Sequence, residues 1–403
     1  MNKGNEIKVL VTDGNNRASL AITRSLGRAG YVVYVAGESK RSLASSSKFC
    51  AKGLSYPDPN KWPDRFCVEI VRLVHKNNID ILMPAAETTT RECMKVKDAI
   101  CHQCVIPFHN FNSVDMAASK YDVLKLASGM DIPIPLTYYL ESSKDLDQAI
   151  QFGKKTGFPI VVKPSRSKIA GTITHVKAST LYAHSESELR RIILSFDPVQ
   201  YPLLIQERII GDGVGIFACY NDGQEIAYFS HHRLREKPPS GGVSVFRESF
   251  PVDERLQRYA SKLLHALQWH GVAMVEFKED LKRGGYKLME INGRFWGSLQ
   301  LAIDAGVDFP LLLAKIALRQ NVEKIQNYRM NVKTRWLWGD IDSLLAILLK
   351  TRRKLNLPKH FPIKASYLRS FFDLRAGNYN FEVLRFNDPL PWLFETMKWF
   401  HLI

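Results

Sequence analysis

Long apolar runs are missing from this sequence of 403 residues. No window approaches the roughly 18 consecutive apolar residues of a membrane-spanning helix. The opening stretch, MNKGNEIKVLVTDG, passes directly into a strand pattern, so it has neither the apolar segment nor the cleavage site of a secretory signal. Both absences lead us to expect a cytoplasmic protein.

Cysteine is also scarce, because six residues at irregular spacing do not form the framework of a disulfide-rich protein. Cys101 and Cys104 form one close pair in CHQC, but no second pair follows at the spacing of a zinc site. We expect free thiols here, with a zinc site as the alternative.

The glycine pattern of a dinucleotide site is incomplete. The first turn, DGNNRAS, lacks the GxGxxG spacing that lets backbone approach a pyrophosphate. The sequence also has no convincing GxSxG or Cys/His arrangement for nucleophilic catalysis. We therefore do not expect a dinucleotide site, and the lack of a nucleophile signature agrees with chemistry that needs no nucleophilic side chain.

Acidic residues are outnumbered: the chain has 56 Lys and Arg against 40 Asp and Glu, a net charge of +16. Residues 321–403 hold 14 Lys or Arg and 7 Asp or Glu, so nearly half of the excess lies in the last fifth of the chain. Such a charge favours an anionic partner, which is a nucleotide, a nucleic acid or an acidic membrane surface. No RNA-binding or zinc-finger signature accompanies it, so we do not expect a nucleic-acid partner.

Alternating strands and helices open the chain. KVLVTD, YVVYVA and IDILMP read as strands, and the segments that start near Arg17 and at FCVEIVRLVHKNN read as helices. This alternation predicts a parallel α/β sheet. Prolines and an extended run mark a boundary at DIPIPLTYYLESS, and strand patterns dominate from about 216 to 310.

The stretch KLMEINGRFW ends an apolar strand in a carboxylate, an amide and a guanidinium. Alternation places Glu290 and Asn292 side by side on one face, about 7 Å apart, together with Leu288. The upstream strand GVAMVEF presents Glu276, and EDLKRGG between them reads as a hairpin loop. If the two strands pair, two carboxylates and one amide oxygen converge, and oxygen ligands of this kind suit Mg²⁺.

Arg294 follows directly in the sequence. Its guanidinium is always charged and would point at the same anionic ligand, the phosphates of a nucleotide that complete a Mg²⁺ site. The alternative is that Glu276 and Glu290 are exposed strand residues paired with lysines. Two carboxylates on neighbouring strands, each preceded by apolar residues, favour the metal site.

Two further strands end in charged residues. GFPIVVKP leads into Lys163, whose compact charge could hold a phosphate, although a lysine at a strand end often only reaches for water. LLIQE ends at Glu207, whose carboxylate could accept a hydrogen bond from the amino group of adenine. The alternative is that Glu207 is an ordinary carboxylate in a turn.

Taken in chain order, these segments resemble the ATP-grasp superfamily, and more closely its carboxylate-amine ligases. The resemblance covers about residues 5–315 and rests on SKYD around Lys120, FPIVVKP around Lys163, IQERIIGDG around Glu207, VAMVEF around Glu276 and EINGR from Glu290. Each segment is weak alone, and their order makes the set specific.

The resemblance implies an α/β fold in which a parallel α/β domain precedes two α+β lobes that clamp ATP. We place the N-terminal domain at 1–120, the small lobe with the phosphate loop at 121–215, the large lobe with the metal site at 216–320 and a basic, helical C-terminal extension at 321–403. The implied ligands are, for ATP, Lys120, Lys163 and Glu207, and, for Mg²⁺ or alternatively Mn²⁺, Glu276, Glu290 and Asn292.

Two loops depart from the resemblance or extend it. SRSKIAG, at 165–171, has one glycine where many relatives have several, which leaves open whether it covers the phosphates. In HHRLREKPPSGGVSVFRES, Arg233 and Arg235 lie two apart and would share one face of a strand. This segment is either a substrate loop or a hairpin with solvated arginines.

The leading hypothesis is an ATP-dependent ligase that activates a substrate carboxylate as an acyl phosphate for capture by an amine. Arg235 and Arg294 would balance charge on the transferring group. One alternative keeps the nucleotide site in a carboxylate-thiol ligase or a small-molecule kinase. Another is a protein that docks on a membrane or nucleic acid and uses its nucleotide site for regulation.

The tail segment DSLLAILLKTRRKLNLPKHFPIK joins an apolar helix face to a run of cations. This pattern suits peripheral contact with an anionic membrane surface. The alternative is a helix packed on the core with its lysines in water.

Overall fold

The computed structural model describes residues 6–108, 110–166, 180–239, 241–352, 354, 355, 357, 361–372 and 379–402. Within them the chain forms three sheets, one of parallel and two of mainly antiparallel strands, with helices packed against them.

The first sheet is the parallel α/β unit that the opening of the sequence predicts. Its four strands lie in the order β3-β2-β1-β4, and all pairs are parallel. The elements are β1 (Lys8–Val11), α1 (Arg17–Arg28), β2 (Val32–Gly37), β3 (Cys50–Ser55), α2 (Pro63–Asn77), β4 (Ile81–Met83), α3 (Glu87–Lys95), α4 (Lys97–Ile100), α5 (Phe111–Ala117) and α6 (Lys120–Ser128). Strand β3 was not predicted, because CAKGLS has neither an apolar run nor clear alternation.

The second sheet is small and antiparallel, with its four strands in the order β5-β8-β6-β7. Its elements are β5 (Thr137–Leu140), α7 (Leu146–Thr156), β6 (Ile160–Pro164), β7 (Leu181–Ala183), α8 (Glu186–Leu194) and β8 (Leu203–Glu207). Helices α7 and α8 cover this sheet and share with it a separate apolar core.

The third sheet has seven strands in the order β13-β12-β9-β10-β11-β14-β15. The elements are β9 (Gly213–Asn221), β10 (Gln224–Lys237), β11 (Val243–Phe250), α9 (Glu254–Ala266), β12 (Gly271–Glu279), β13 (Tyr286–Asn292), α10 (Leu299–Ala305), α11 (Phe309–Ala317), β14 (Lys333–Arg335), α12 (Leu337–Leu349), α13 (Lys364–Phe372), β15 (Tyr379–Phe381) and α14 (Leu390–Trp399). The α/β character and the two lobes after a parallel domain confirm the expected fold class.

Helix α9 illustrates how local sequence sets these elements. Asp253 caps it by accepting hydrogen bonds from the backbone N–H of Arg255 and Leu256. Leu256, Ala260 and Leu263 recur at helical spacing and are buried against the sheet. The helix that the sequence predicts over DERLQRYASKLLHALQ is thereby confirmed.

The C-terminal region contains helices, as expected, and also completes the third sheet. Strand β14 pairs with β11, and β15 pairs in parallel with β14, so segments before and after residue 320 share one sheet. The bounds of the four domains stay predictions. Among the described residues, no helix combines the length and apolar character needed to cross a bilayer.

Buried charges connect the C-terminal region to the first domain. Arg24 of α1 lies with its Nε 2.8 Å from Asp388, and both side chains are fully buried. Arg17 at the start of α1 pairs with Glu382, which also lies 2.6 Å from Arg247 of β11. The pairs Arg24–Asp388 and Arg17–Glu382 each join residues that are more than 350 positions apart.

Candidate functional site

Strands β12 and β13 form the antiparallel hairpin that the sequence predicts. Glu276 lies directly opposite Glu290, and Met274 lies opposite Asn292. The register shifts after Glu276, so that Leu288 pairs with Phe277 and is fully buried. The expectation that Leu288 shares a face with Glu290 is therefore wrong, because a bulge places one extra residue between them.

Two lysines from other elements approach this pair of carboxylates. The Nζ of Lys120 lies 3.0 Å from Glu290 Oε2, at the start of α6, where Ser119 caps the helix. The backbone N–H of Lys120 donates to the carbonyl of Ser165, which links α6 to the end of β6. Lys163 is buried near that strand end, and its charge acts on Glu276 and Glu290.

The balance of burial and charge makes the two carboxylates unequal. Burial raises the pKa of Glu276, an effect that Arg233 opposes and Glu290 reinforces. Burial would also raise the pKa of Glu290, but Lys120, Lys163 and Asn292 lower it to about 2. Two carboxylates face each other here because neighbouring cations offset their repulsion.

Burial lowers the pKa of Lys163, whereas it raises the pKa of a carboxylate, because the charged form of lysine is the protonated one. Burial, followed by the charge of Lys120, lowers the pKa of Lys163 to about 8, against the opposing influence of Glu290 and Glu276. A bound anion would therefore stabilise the charged ammonium form of Lys163, which burial disfavours.

Arg294 and Asn292 extend the cluster along the strand end. Arg294 Nη2 donates to Asn292 Oδ1 at 2.8 Å, and Asn292 Nδ2 donates to Glu290 Oε1 at 3.1 Å. Arg294 Nη1 also donates to the carbonyl of Phe295, which fixes the direction of the guanidinium. The structure thus brings together Lys120, Lys163, Glu276, Glu290, Asn292 and Arg294.

The donor set fits a hard divalent cation. Two opposed carboxylates and a neighbouring amide oxygen are the oxygen ligands that Mg²⁺ uses when water and phosphate complete its coordination. No cluster of three or more His, Cys, Asp or Glu side chains suited to a metal occurs in the part of the chain that the structure describes. Water and a bound phosphate would complete the coordination of a cation held by this hairpin.

Arg233, rather than Arg235, contacts the cluster. Arg233 Nη2 lies 3.0 Å from Glu276 Oε1, and its Nη1 donates to Glu236 at 3.1 Å. Opposite β11, Arg233 pairs with Arg247 but Arg235 pairs with Phe246, so Leu234 is an extra residue in β10. This bulge turns Arg235 to the opposite face, and the expectation that both arginines share a face is wrong.

The contacts of Arg235 lie with the C-terminal helices. Its Nε and Nη2 donate to the two oxygens of Asp340 at 2.7 and 2.6 Å, and Asp340 also accepts from Arg335. The guanidinium stacks over Phe246 and Phe371. The segment is a hairpin, but its arginines are largely buried rather than solvated, and the catalytic role of Arg235 stays a prediction.

A glycine lets Arg233 reach its carboxylate. Strand β9 lies between β10 and β12, so the guanidinium must cross a whole strand, a distance of about 10 Å between the outer two backbones. It passes over Gly213, where an added Cβ would lie 3.1 Å from Arg233 Nη1. Any larger residue at this position would force the guanidinium to move.

Glu207 lies apart from the cluster, at the other end of the small sheet. It pairs with Ile160, whereas Lys163 pairs with Leu204, which corresponds to about 10 Å along the strands. Its carboxylate accepts from the backbone N–H of Leu136 at 2.9 Å and from Arg283 at 2.8 Å. An adenine that hydrogen-bonds to the carboxylate of Glu207 would have to displace the guanidinium of Arg283, whose side chain is about half exposed.

The start of the predicted phosphate loop is anchored to the first domain. Arg166 forms a two-pronged ion pair with Asp115, which also binds Arg91. Apart from Ser165 and Arg166, the loop at 165–171 lies outside the described residues. The prediction about phosphate covering is therefore limited to its first two positions.

Sequence reasoning did not select His231, although it lies on the same sheet face as Glu276. Both residues pair with Gly215 of β9, and His231 Nε2 lies 2.9 Å from Ser298 Oγ. Burial, with the charges of Arg233 and Arg247, lowers the pKa of His231 well below its usual value. The pattern HHRLR contained this residue, but only the strand register reveals its neighbours.

Comparisons with known proteins bear on the family and the fold of the chain. Residues 200–339 match a family model described as ATP-grasp in the biosynthetic pathway with Ter operon. The chain is 26% identical over 206 residues to the large chain of carbamoyl phosphate synthase from Methanothermobacter thermautotrophicus. That match covers 48% of this chain but only 18% of the relative, so the chain spans less than a fifth of its length.

Solved structures share the fold at low sequence identity. The biotin carboxylase domain of 2-oxoglutarate carboxylase from Hydrogenobacter thermophilus, in complex with MgADP, ADP and bicarbonate, has a TM-score of 0.62 at 14% identity, over 82% of this chain and 74% of that one. The L-amino acid ligase from Bacillus licheniformis has a TM-score of 0.61 at 16% identity, over 79% and 76%. These likenesses confirm the fold that the sequence motifs predict.

Proposed function

We propose that this chain is an ATP-grasp enzyme, and more narrowly an ATP-dependent ligase that joins a small-molecule carboxylate to an amine. Support comes from the ATP-grasp family model that residues 200–339 match and from the fold shared with the solved structures described above. The observation that carries this proposal is the facing pair Glu276 and Glu290 with Lys120 and Lys163 beside it. Opposed carboxylates surrounded by cations suit a triphosphate bound together with a divalent cation.

The proposed reaction has two steps. A substrate carboxylate oxygen bonds to the γ-phosphorus of ATP, and the bond from that phosphorus to the bridging oxygen breaks, with ADP leaving. The amine then attacks the acyl carbon, inorganic phosphate departs with its bonding electrons, and the nitrogen loses a proton. No step requires a nucleophilic side chain, so the protein's contribution is positioning and charge stabilisation.

The residues divide this work by charge. Lys120 and Lys163 bind the phosphates from two different elements, and Glu207 holds the base about 10 Å away along the small sheet. Glu276, Glu290 and Asn292 would hold Mg²⁺, or Mn²⁺ as the alternative, which when bound neutralises charge on the phosphates. Each of these groups must give up a present partner to do so.

Two guanidiniums complete the proposed site. Arg294 lies at the strand end beside Asn292, and Arg233 reaches Glu276 from the face on which the reacting groups would meet. We assign to Arg233 the charge-balancing role that the sequence suggested for Arg235. Arg235 then acts as a positioning residue, because its ion pair with Asp340 holds the bulged part of β10.

The experiment that tests this function is a screen of the purified protein against pairs of carboxylic acids and amines, with ADP release as the readout. Mass spectrometry of the products separates the candidates: an amide supports the proposal, whereas a thioester or a phosphorylated small molecule supports one of the two alternatives. ADP release that needs a carboxylate but yields no amide with any amine would contradict carbon–nitrogen bond formation.

The lowered pKa of Lys163 makes a prediction about pH. Above about pH 8 its amine is neutral in the free protein, so bound ATP must raise the pKa again and draw in a proton. We expect ATP affinity to fall by up to about tenfold per pH unit between pH 8 and the ordinary lysine value, with uptake of about one proton on binding. Calorimetry in buffers of different ionisation enthalpy measures this uptake.

The control for this prediction is a second lysine, half-buried on β12. Burial also lowers the pKa of Lys278, which lies two residues beyond Glu276 on the same strand. Lys163→Met should bind ATP more weakly and lose the proton uptake, whereas Lys278→Met should keep it. Unchanged affinity and uptake in Lys163→Met would contradict the phosphate assignment.

A further inference from the structure

Helices α12 and α13 form a hairpin with its own small core and an apolar outer surface. Leu344 and Ile347 of α12 pack against Tyr367 and Phe371 of α13. Large apolar side chains outside this core remain exposed to solvent, and we call them the α12–α13 patch: Leu345, Leu348, Leu349, Ile363, Leu368 and Phe372.

The patch is continuous across the two helices. Lys364 Nζ donates to the carbonyl of Leu348 at 2.8 Å, which places the start of α13 against the end of α12. Leu349 is 80% exposed and Ile363 is 67% exposed at this junction. Apolar surface of this extent on helices that already have a core indicates a contact with something else.

Positive charge surrounds the same surface. From residue 343 to 372 the sequence contains seven Lys or Arg and no Asp or Glu. Among them Lys350, Arg352, Lys364 and Arg369 are exposed next to the patch. Asp342, which directly precedes this stretch, is paired with Lys237, so the exposed charge beside the patch is mainly positive among the described residues. An apolar surface with such a charge is complementary to a layer that is apolar inside and anionic at its surface.

We propose that the α12–α13 patch docks the protein peripherally on an anionic lipid membrane. Five of the six patch residues are aliphatic, and aliphatic side chains contribute little to a nucleic-acid backbone or to base stacking. A second copy of the chain would bring two cation runs together, which repel each other. A lipid surface with acidic headgroups satisfies both the apolar and the charged component.

The helices that carry the patch are tied to the strand that carries Arg233, but on the opposite face of the third sheet. Arg235 connects the two parts, because it binds Asp340 of α12 and the carbonyl of Ser370 in α13, two residues along β10 from Arg233. Membrane docking is independent of the proposed ligase activity, and its test needs no substrate.

The test is co-sedimentation of the full chain with vesicles of phosphatidylcholine alone or mixed with phosphatidylserine. We expect recovery with the anionic vesicles only, decreasing as salt screens the cations. Leu349→Glu combined with Ile363→Glu should weaken this binding at least about tenfold, because two apolar contacts are lost and two repelled charges are added. The fold should be retained, since both side chains are largely exposed.

The matched control is Val68→Glu combined with Leu194→Glu, two similarly exposed apolar residues on α2 and α8. This variant should bind vesicles like the unmodified protein. Equal recovery with neutral and anionic vesicles, or unchanged binding of the α12–α13 variant, would overturn the proposal. Retention on single-stranded RNA without vesicle binding, or a dimer that the α12–α13 variant dissociates, would overturn it in favour of the corresponding partner.

Discussion

Replacing Asp388 by alanine is expected to destabilise the protein by about 3–5 kcal/mol, the usual cost of leaving one member of a buried ion pair without its partner. Asp388 binds Arg24 at 2.8 Å, accepts from Ser47 Oγ at 2.7 Å and accepts from the backbone N–H of Lys48 at 3.0 Å. With the carboxylate removed, the fully buried guanidinium would keep its carbonyl contacts but lose its countercharge. Urea unfolding followed by circular dichroism measures the change.

An exposed pair provides the control for this prediction. Asp147 binds Arg190 at the same 2.8 Å, but its side chain is 85% exposed, so Asp147→Ala should cost less than about 1 kcal/mol. Combining Asp388→Leu with Arg24→Met should recover part of the loss, because no unpaired charge is left buried. A destabilisation by Asp388→Ala no larger than that of Asp147→Ala would show that the pair does not hold the two regions together.

Replacing Glu290 by glutamine is expected to lower ATP turnover at least about 100-fold. The substitution keeps the size of the side chain but removes the charge that Lys120 and Lys163 share and a strong ligand for a divalent cation. Charge stabilisation by a metal is worth several kcal/mol, and each ~1.4 kcal/mol is tenfold in rate. Some stability should also be lost, because the lowered pKa of Glu290 shows that its attraction to Lys120 and Lys163 outweighs burial and the repulsion from Glu276.

Glu248 is the matched control for Glu290. It also lies on a strand of the third sheet, is 22% exposed against 28% for Glu290, and pairs with Lys333 at 3.6 Å. Glu248→Gln should leave turnover unchanged and alter stability by less than about 1 kcal/mol. If Glu290→Gln behaves in the same way, and Mg-ATP raises its melting temperature as in the unmodified protein, Glu290 is an ordinary surface glutamate and the metal assignment fails.

The site was predictable where its chemistry depends on neighbours in sequence. Glu290 and Asn292 share a face because strand residues alternate. The short EDLKRGG connection makes the two strands pair as a hairpin, which brings Glu276 opposite Glu290. The same local logic predicted the parallel first sheet and the strand that ends near Lys163. These features require only the periodicity of strands and the length of a loop.

The remaining errors come from features that periodicity cannot express. A single extra residue, Leu234 in β10, moves the residues that follow it in this strand to the opposite face of the sheet. Arg235 therefore contacts α12, while Arg233 contacts Glu276. Strands β14 and β15 join the third sheet through pairings between residues 46 to 89 positions apart, and Asp388 is buried against a residue of α1 that lies 364 positions away. Such contacts have no local signature, which is why the basic tail read as a helical extension.

Gly213 shows that a site can be specified by what is left out. It donates no side chain to the cluster, yet the open space above it is the path by which Arg233 reaches Glu276 across an intervening strand. The same charged residues placed in another sheet would therefore need a glycine at the corresponding position to keep this position of the guanidinium. Gly213 therefore limits any redesign of this site. A side chain at position 213 would occupy the space through which the guanidinium of Arg233 reaches Glu276.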